Sequence, residues 1–307
     1  MSRFLLIHGV LNPIDPFPAW RQALGVTEDQ AKGIWWGEPE QRRIAQLGSN
    51  RWWSLPTSNP AFVSVVPESF AESPAPSLST EDETFIAQCM AQVKEGAPEA
   101  EPFRLEVDAV APGVVTYGAL DLNGAAIWLK VIETALREVY LYLRNREYRD
   151  AIRTSFEETF EDGDVVVAHS MGSVIAYDCL THADLEPKSK ASQKRARALV
   201  TFGSPLGLNV LRKIMPGGQG ALAMPPRLAG SWLNAFDADD AIVGIEDADV
   251  RRDRRGLSDE FAGPLPKRFA EKPDIRLPSW PHHDAVQYLE RLKDQIHAKL
   301  LEPLPSA

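Results

Sequence analysis

Ser170 lies in the stretch Ala168-His169-Ser170-Met171-Gly172, preceded by Val165-Val166-Val167 and followed by an apolar stretch over 172–180. Branched side chains pack well on a pleated surface, so the first run predicts a strand. The second predicts a helix. A sharp strand-to-helix turn projects a serine hydroxyl above the sheet. Ala168 and Gly172 are small enough to keep neighbouring backbone clear of that turn. The helix start adds free N–H groups where negative charge develops during acyl transfer. Serine is a weak nucleophile unless a base takes its proton as it attacks. The chain has six histidines to serve: His8, His169, His182, His282, His283 and His297. Three aspartates, Asp237, Asp239 and Asp240, follow the apolar run Trp232-Leu233-Asn234-Ala235-Phe236 and are candidates to orient such a base. The run His282-His283-Asp284 also suggests a metal site, but adjacent residues rarely point at one ion and no further ligands are spaced to join them. No C-x-x-C or Cys/His cluster has metal spacing, and attack by a serine with a neighbouring base needs neither a metal nor an organic cofactor, so none is expected.

The Ser170 stretch resembles the nucleophile elbow of the α/β-hydrolase superfamily, G-x-S-x-G, with Ala168 in place of the first glycine. The similarity is to bacterial, lipase-like serine hydrolases. It covers the first strand and residues 163–300. It implies a catalytic Ser170, an acid after the penultimate strand and a late histidine, in that chain order. Asp240-Ala241-Ile242-Val243 matches the D-x-x-V form of the acid, which favours Asp240; Asp237, nearer the strand end, is the alternative. His283-Asp284-Ala285-Val286-Gln287-Tyr288-Leu289 resembles the H-x-x-x-x-Y-L ending of some members, which favours His283 as base over His282. By the same resemblance, His8-Gly9 brings the backbone N–H of Val10 to an oxyanion hole completed by the N–H of Met171. Thr201-Phe202-Gly203-Ser204-Pro205 resembles a turn that runs beside the catalytic loop, which makes Ser204 structural. The implied activity is hydrolysis of a small-molecule carboxylic ester through an acyl-enzyme. An acyltransferase or thioesterase using the same residues, and a non-catalytic binding protein of the same fold, are the alternatives.

These residues need a scaffold. The 307 residues, 44% hydrophobic and 25% charged, suffice for one large core. Apolar runs over 3–8, 165–168, 198–202 and 231–236, with a weaker one over 33–36, predict strands. Helical patterns after Pro18, over 146–160, over 172–180 and from Asp284 onward alternate with them. Trp128, Val131, Ile132, Ala135, Leu136 and Val139 mark one further helical face, and 84–94 another helix. Alternating strands and helices predict the α/β class, a mostly parallel sheet flanked by helices. Residues 1–307 then form a single α/β-hydrolase domain, with 38–123 as a lid- or cap-like insertion that is rich in Pro and Ser between 56 and 83. Five of the eight tryptophans, Trp20, Trp35, Trp36, Trp52 and Trp53, precede residue 54 and suit either an acyl pocket or the core.

A net charge of −10, from 33 Lys+Arg against 43 Asp+Glu, opposes binding to phosphate backbones, so no nucleic-acid partner is expected. The cluster Arg251, Arg252, Arg254 and Arg255 reads as a solvated loop. No apolar run reaches the roughly 18 residues of a membrane span, and the run at 4–7 is too short for a signal peptide. Two cysteines make no disulfide framework. A reduced, cytoplasmic protein without stable membrane insertion is the resulting expectation.

Overall fold

The computed structural model describes residues 3–9, 15–34, 36, 84, 139–140, 142–181, 193–215, 220–240, 242–243, 256–278 and 282–302. Among the described residues six strands form one sheet: β1 (Phe4–Ile7), β2 (Ala31–Ile34), β3 (Val165–His169), β4 (Ala198–Phe202), β5 (Trp232–Asp237) and β6 (Phe269–Ile275). Their spatial order is β2-β1-β3-β4-β5-β6, and every pairing is parallel. The helices are α1 (Phe17–Leu24), α2 (Arg146–Thr159), α3 (Met171–Thr181), α4 (Asn209–Ile214) and α5 (Ala285–Leu301).

Side chains along a strand alternate between the two sheet faces. Leu5, Ile7, Val166, Ala168 and Leu199 pack with Tyr148, Ile152 and Phe156 of α2 and Val174 and Ile175 of α3. Phe4, Leu6, Val165, Val167 and Val200 pack on the other face with Phe17, Trp20 and Leu24 of α1 and Tyr288, Leu289, Leu292 and Ile296 of α5. Both faces are covered, which is why the central strands are apolar throughout rather than alternating.

The helix starts follow local rules. Pro18 occupies the first turn of α1, where its missing N–H costs nothing, and Gly25 closes the helix with φ 69°. Asn145 caps α2 by accepting from Tyr148 N–H at 3.0 Å, and Asp284 caps α5 by accepting from Gln287 N–H at 2.9 Å.

The strand expected over 33–36 lies two residues earlier, at Ala31–Ile34. Gly33 is inside it because the Phe17 ring occupies the space of its absent side chain: a Cβ there would lie 2.0 Å from Phe17 Cδ2. β6 was not anticipated. Phe-Ala-Glu-Lys-Pro-Asp-Ile has a polar, Pro-containing centre, a composition tolerated at a sheet edge. At Pro273 the pairing slips: Ala235 faces Lys272, but Asp237 faces Ile275.

Of the predicted lid- or cap-like segment 38–123, only Thr84 is among the described residues. The helical face expected over 128–139 lies outside them except Val139, which is helical together with Tyr140 and residues 142–144.

Candidate active site

Strand order reverses between β1 and β3, since β2 lies outside β1 and β4 outside β3. In parallel α/β sheets the crevice for ligands opens at such a point, beyond the carboxyl ends of the strands. Gly9 follows β1 there and Ser170 follows β3. Their backbones are close: a Cβ on Gly9 would sit 2.7 Å from Ser170 Cβ. A Cβ on Gly172 would sit 2.3 Å from the Ile7 carbonyl oxygen. These two glycines let the first turn of α3 settle against the end of β1.

Ser170 has φ 53°, in the left-handed region, and His282 has φ 59°. Among the described residues no other non-glycine residue has positive φ. Each such residue costs about 1–2 kcal/mol, so surrounding contacts must hold it. At Ser170 those contacts are explicit. Its N–H donates to the Phe202 carbonyl at 3.1 Å, and its carbonyl accepts from Ser173 N–H at 2.9 Å. That carbonyl also lies 2.5 Å from Ser173 Oγ, which lies 2.6 Å from Ser204 Oγ. A carbonyl only accepts, so Ser173 donates its one proton to Ser170 and Ser204 donates to Ser173. Ser204 Oγ in turn accepts from Leu206 N–H at 3.2 Å. The turn at 201–205 is thereby laced to the turn at Ser170 through buried hydroxyls.

His283 stands between β6 and α5. Its Nε2 is 3.0 Å from Ser170 Oγ, and its Nδ1 is 2.7 Å from Asp240 Oδ2. Nδ1–H donates to the carboxylate, which leaves the Nε2 lone pair to accept from the Ser170 hydroxyl. Asp240 is fully buried. It is oriented by Ile242 N–H at 2.9 Å on Oδ1 and by the Tyr288 hydroxyl, which donates to Oδ2 at 2.9 Å. Tyr288 accepts in turn from Asp237 N–H at 2.8 Å. Burial and the Asp240 charge push the Tyr288 hydroxyl well above its usual pKa, so it stays protonated and able to donate.

Asp237 and His282 form a separate pair, Oδ2 to Nδ1 3.2 Å. Asp237 also accepts from Leu277 N–H at 2.7 Å and from Asp239 N–H at 2.8 Å. The adjacent imidazoles thus diverge, each to its own carboxylate. Among the described residues no group of three or more His, Cys, Asp or Glu side chains is placed to hold a metal ion.

Two further histidines line the strand ends. His169 is buried, with its ring centroid 4.5 Å from that of His283. Burial, reinforced by the neighbouring His283, holds its pKa well below the imidazole range. His8 stacks on Trp36 at 4.7 Å. Burial lowers its pKa to about 3, against a hydrogen bond to the Gly9 carbonyl that raises it. Both rings are therefore neutral and too weakly basic to compete with His283 for the Ser170 proton.

Behind the site, Asp178 of α3 is buried and accepts from Arg153 Nε at 2.9 Å and Nη2 at 2.7 Å, and from Tyr142 at 2.6 Å. This network ties α3 to α2.

The structure therefore brings Ser170, His283 and Asp240 into one line and places Asp237 and His282 beside it. Met171 is the first residue of α3, where a backbone N–H has no carbonyl one turn back. Val10 lies outside the described residues, as do Trp35, Trp52, Trp53 and the Arg251–Arg255 cluster. Trp20 is core, packed edge-on to Phe17 and against Phe202. Ser173, the packing of the His169 ring against His283 and the bridging role of the Tyr288 hydroxyl were not foreseen. Ser173 carries a usable signal, since a serine three residues into a helix reaches back to the carbonyl before it. No protein-family model, curated protein or solved structure matches the chain. Among the described residues no helix is long and apolar enough to cross a membrane.

Proposed function

We propose that the chain is a serine hydrolase of the α/β-hydrolase type, lipase/esterase-like, that cleaves a small-molecule carboxylic ester through an acyl-enzyme on Ser170. The observation that carries this reading is the continuous hydrogen-bonded line from Ser170 Oγ through His283 to Asp240, at 3.0 and 2.7 Å. Chain order Ser–Asp–His and the location at a strand-order reversal support it.

The chemistry runs in two halves. Ser170 Oγ attacks the ester carbonyl carbon while His283 Nε2 takes its proton. Asp240, fixed by Tyr288 and Ile242, holds the imidazole with Nδ1 protonated and stabilises the imidazolium. Negative charge on the carbonyl oxygen is met by the backbone N–H of Met171, at the positive end of α3, and, as the family resemblance implies, by that of Val10. The tetrahedral adduct collapses; His283 gives its proton to the leaving alkoxide, and the alcohol departs. Water then attacks the acyl-enzyme with His283 again as base, and the acid and free Ser170 are released.

The test is turnover of p-nitrophenyl esters and labelling by a fluorophosphonate. Wild type is expected to turn over and label, and Ser170→Ala to do neither. Turnover that survives in Ser170→Ala rejects the assignment, and an unlabelled wild type favours a binding protein without catalysis. His283→Ala is expected to lose about 10³-fold or more in kcat. A larger loss in His282→Ala than in His283→Ala reassigns the base.

A further inference from the structure

We infer that Asp237 and His282 are positioning residues, a second carboxylate–imidazole pair whose work is to seat His283 against Ser170. The inference rests on the hydrolase reading for its consequence in rate, but its geometry is independent of it.

Three observations converge. First, the two described non-glycine residues with positive φ are Ser170, which carries the hydroxyl of the hydrogen bond to His283 Nε2, and His282, the residue immediately before His283. Strain of this kind persists where the surroundings over-determine it. At His282 the surroundings that hold it include the bond to Asp237. Second, Asp237 is nearly fully buried, 1% exposed, and its carboxylate gathers separate pieces of chain. It takes Leu277 N–H from beyond β6, Asp239 N–H from its own loop, and the His282 ring from the loop before α5. The Arg276 guanidinium stands 4.0 Å away and is largely exposed. Third, the same residue reaches the acid: Asp237 N–H donates to the Tyr288 hydroxyl, which donates to Asp240 Oδ2. Asp237 thus touches, through one hydrogen bond each, the loop that carries the base and the tyrosine that orients the acid.

The left-handed backbone at His282 is what makes two adjacent side chains useful. It sends one ring to Asp237 and the next to Asp240, so the loop is held on two carboxylates three residues apart. Asp237 and His282 act on Ser170 through His283 and Tyr288.

The experiment compares wild type, His282→Ala and His282→Asn. Asparagine tolerates the left-handed region, and its Nδ2–H stands where the imidazole Nδ1–H stood. His282→Ala is expected to lower kcat for p-nitrophenyl esters and the rate of Ser170 labelling by a fluorophosphonate about 10- to 100-fold. KM is expected to stay within about threefold, because the pair shapes attack rather than substrate contact. His282→Asn is expected to recover most of the loss. In parallel, proton NMR follows the far-downfield His283 Nδ1–H, which needs no turnover: the signal persists in wild type and His282→Asn and broadens or vanishes in His282→Ala.

An unperturbed signal and rate in His282→Ala, or an asparagine variant as impaired as the alanine one, overturns the inference while leaving the hydrolase reading standing. A wild type that neither labels nor turns over, with the NMR response as expected, does the reverse.

Discussion

At Ser170 the local cost and the local chemistry coincide. A left-handed serine is held by a carbonyl that receives both the amide and the hydroxyl of Ser173, and Ser204 completes the relay. Ser204→Ala removes the donor to Ser173 and the acceptor for Leu206 N–H. In a buried setting that costs about 1–3 kcal/mol, read as a lower midpoint in urea; an unchanged midpoint shows that the hydroxyl relay contributes nothing to folding. Tyr288→Phe takes away one oxygen that serves both Asp237 N–H and Asp240 Oδ2, and the expected loss of stability is of the same size, about 1–3 kcal/mol. The serine was legible because its turn is local: strand, small residues and helix are contiguous in the chain. The choice between Asp237 and Asp240, or between His282 and His283, was less so. Spacing places both members of each pair at one loop, and which carboxylate meets which ring depends on the sign of φ at His282, a property no residue-type pattern reports for histidine.

Elements succeed or fail here by how closely they approach. α3 abuts β1 because Gly172 has no side chain, and the Ile7 and His8 carbonyl oxygens occupy the place of one, 2.3 and 2.5 Å from the missing Cβ. Gly172→Ala must therefore push the helix away from backbone that cannot yield. Overpacking of this kind costs about 1–3 kcal/mol or more, and the displaced turn is expected to slow labelling of Ser170 as well. A variant that labels at the wild-type rate would show that α3 moves without carrying Ser170. The central strands could be read from composition, since branched and aliphatic runs have few other uses in a covered sheet. β6 was hidden because its polar middle and Pro273 look like a loop; an edge strand satisfies half its hydrogen bonds in solvent and does not need an apolar run.

For the molecule as a whole, neutral buried histidines couple folding to acidity. Below pH 6.5 the unfolded chain takes up a proton at His8 that the folded chain refuses until about pH 3. The stability owed to His8 is complete above pH 6.5 and is lost as pH falls from 6.5 toward 3, at up to about 1.4 kcal/mol per pH unit. His169 is displaced in the same direction. Urea unfolding at stepped pH is expected to show this decline, and His8→Gln to flatten it; an equal slope in the variant would place the acid sensitivity elsewhere. The register slip at Pro273 has its own outcome. Phe269 and Ile275 are an even number of residues apart, yet they belong to opposite hydrophobic layers, because the extra residue reverses the outward and inward sides of β6 partway along it. The outermost ribbon is thus stitched into both halves of the interior, and peeling it away opens the two together rather than shedding a loose margin.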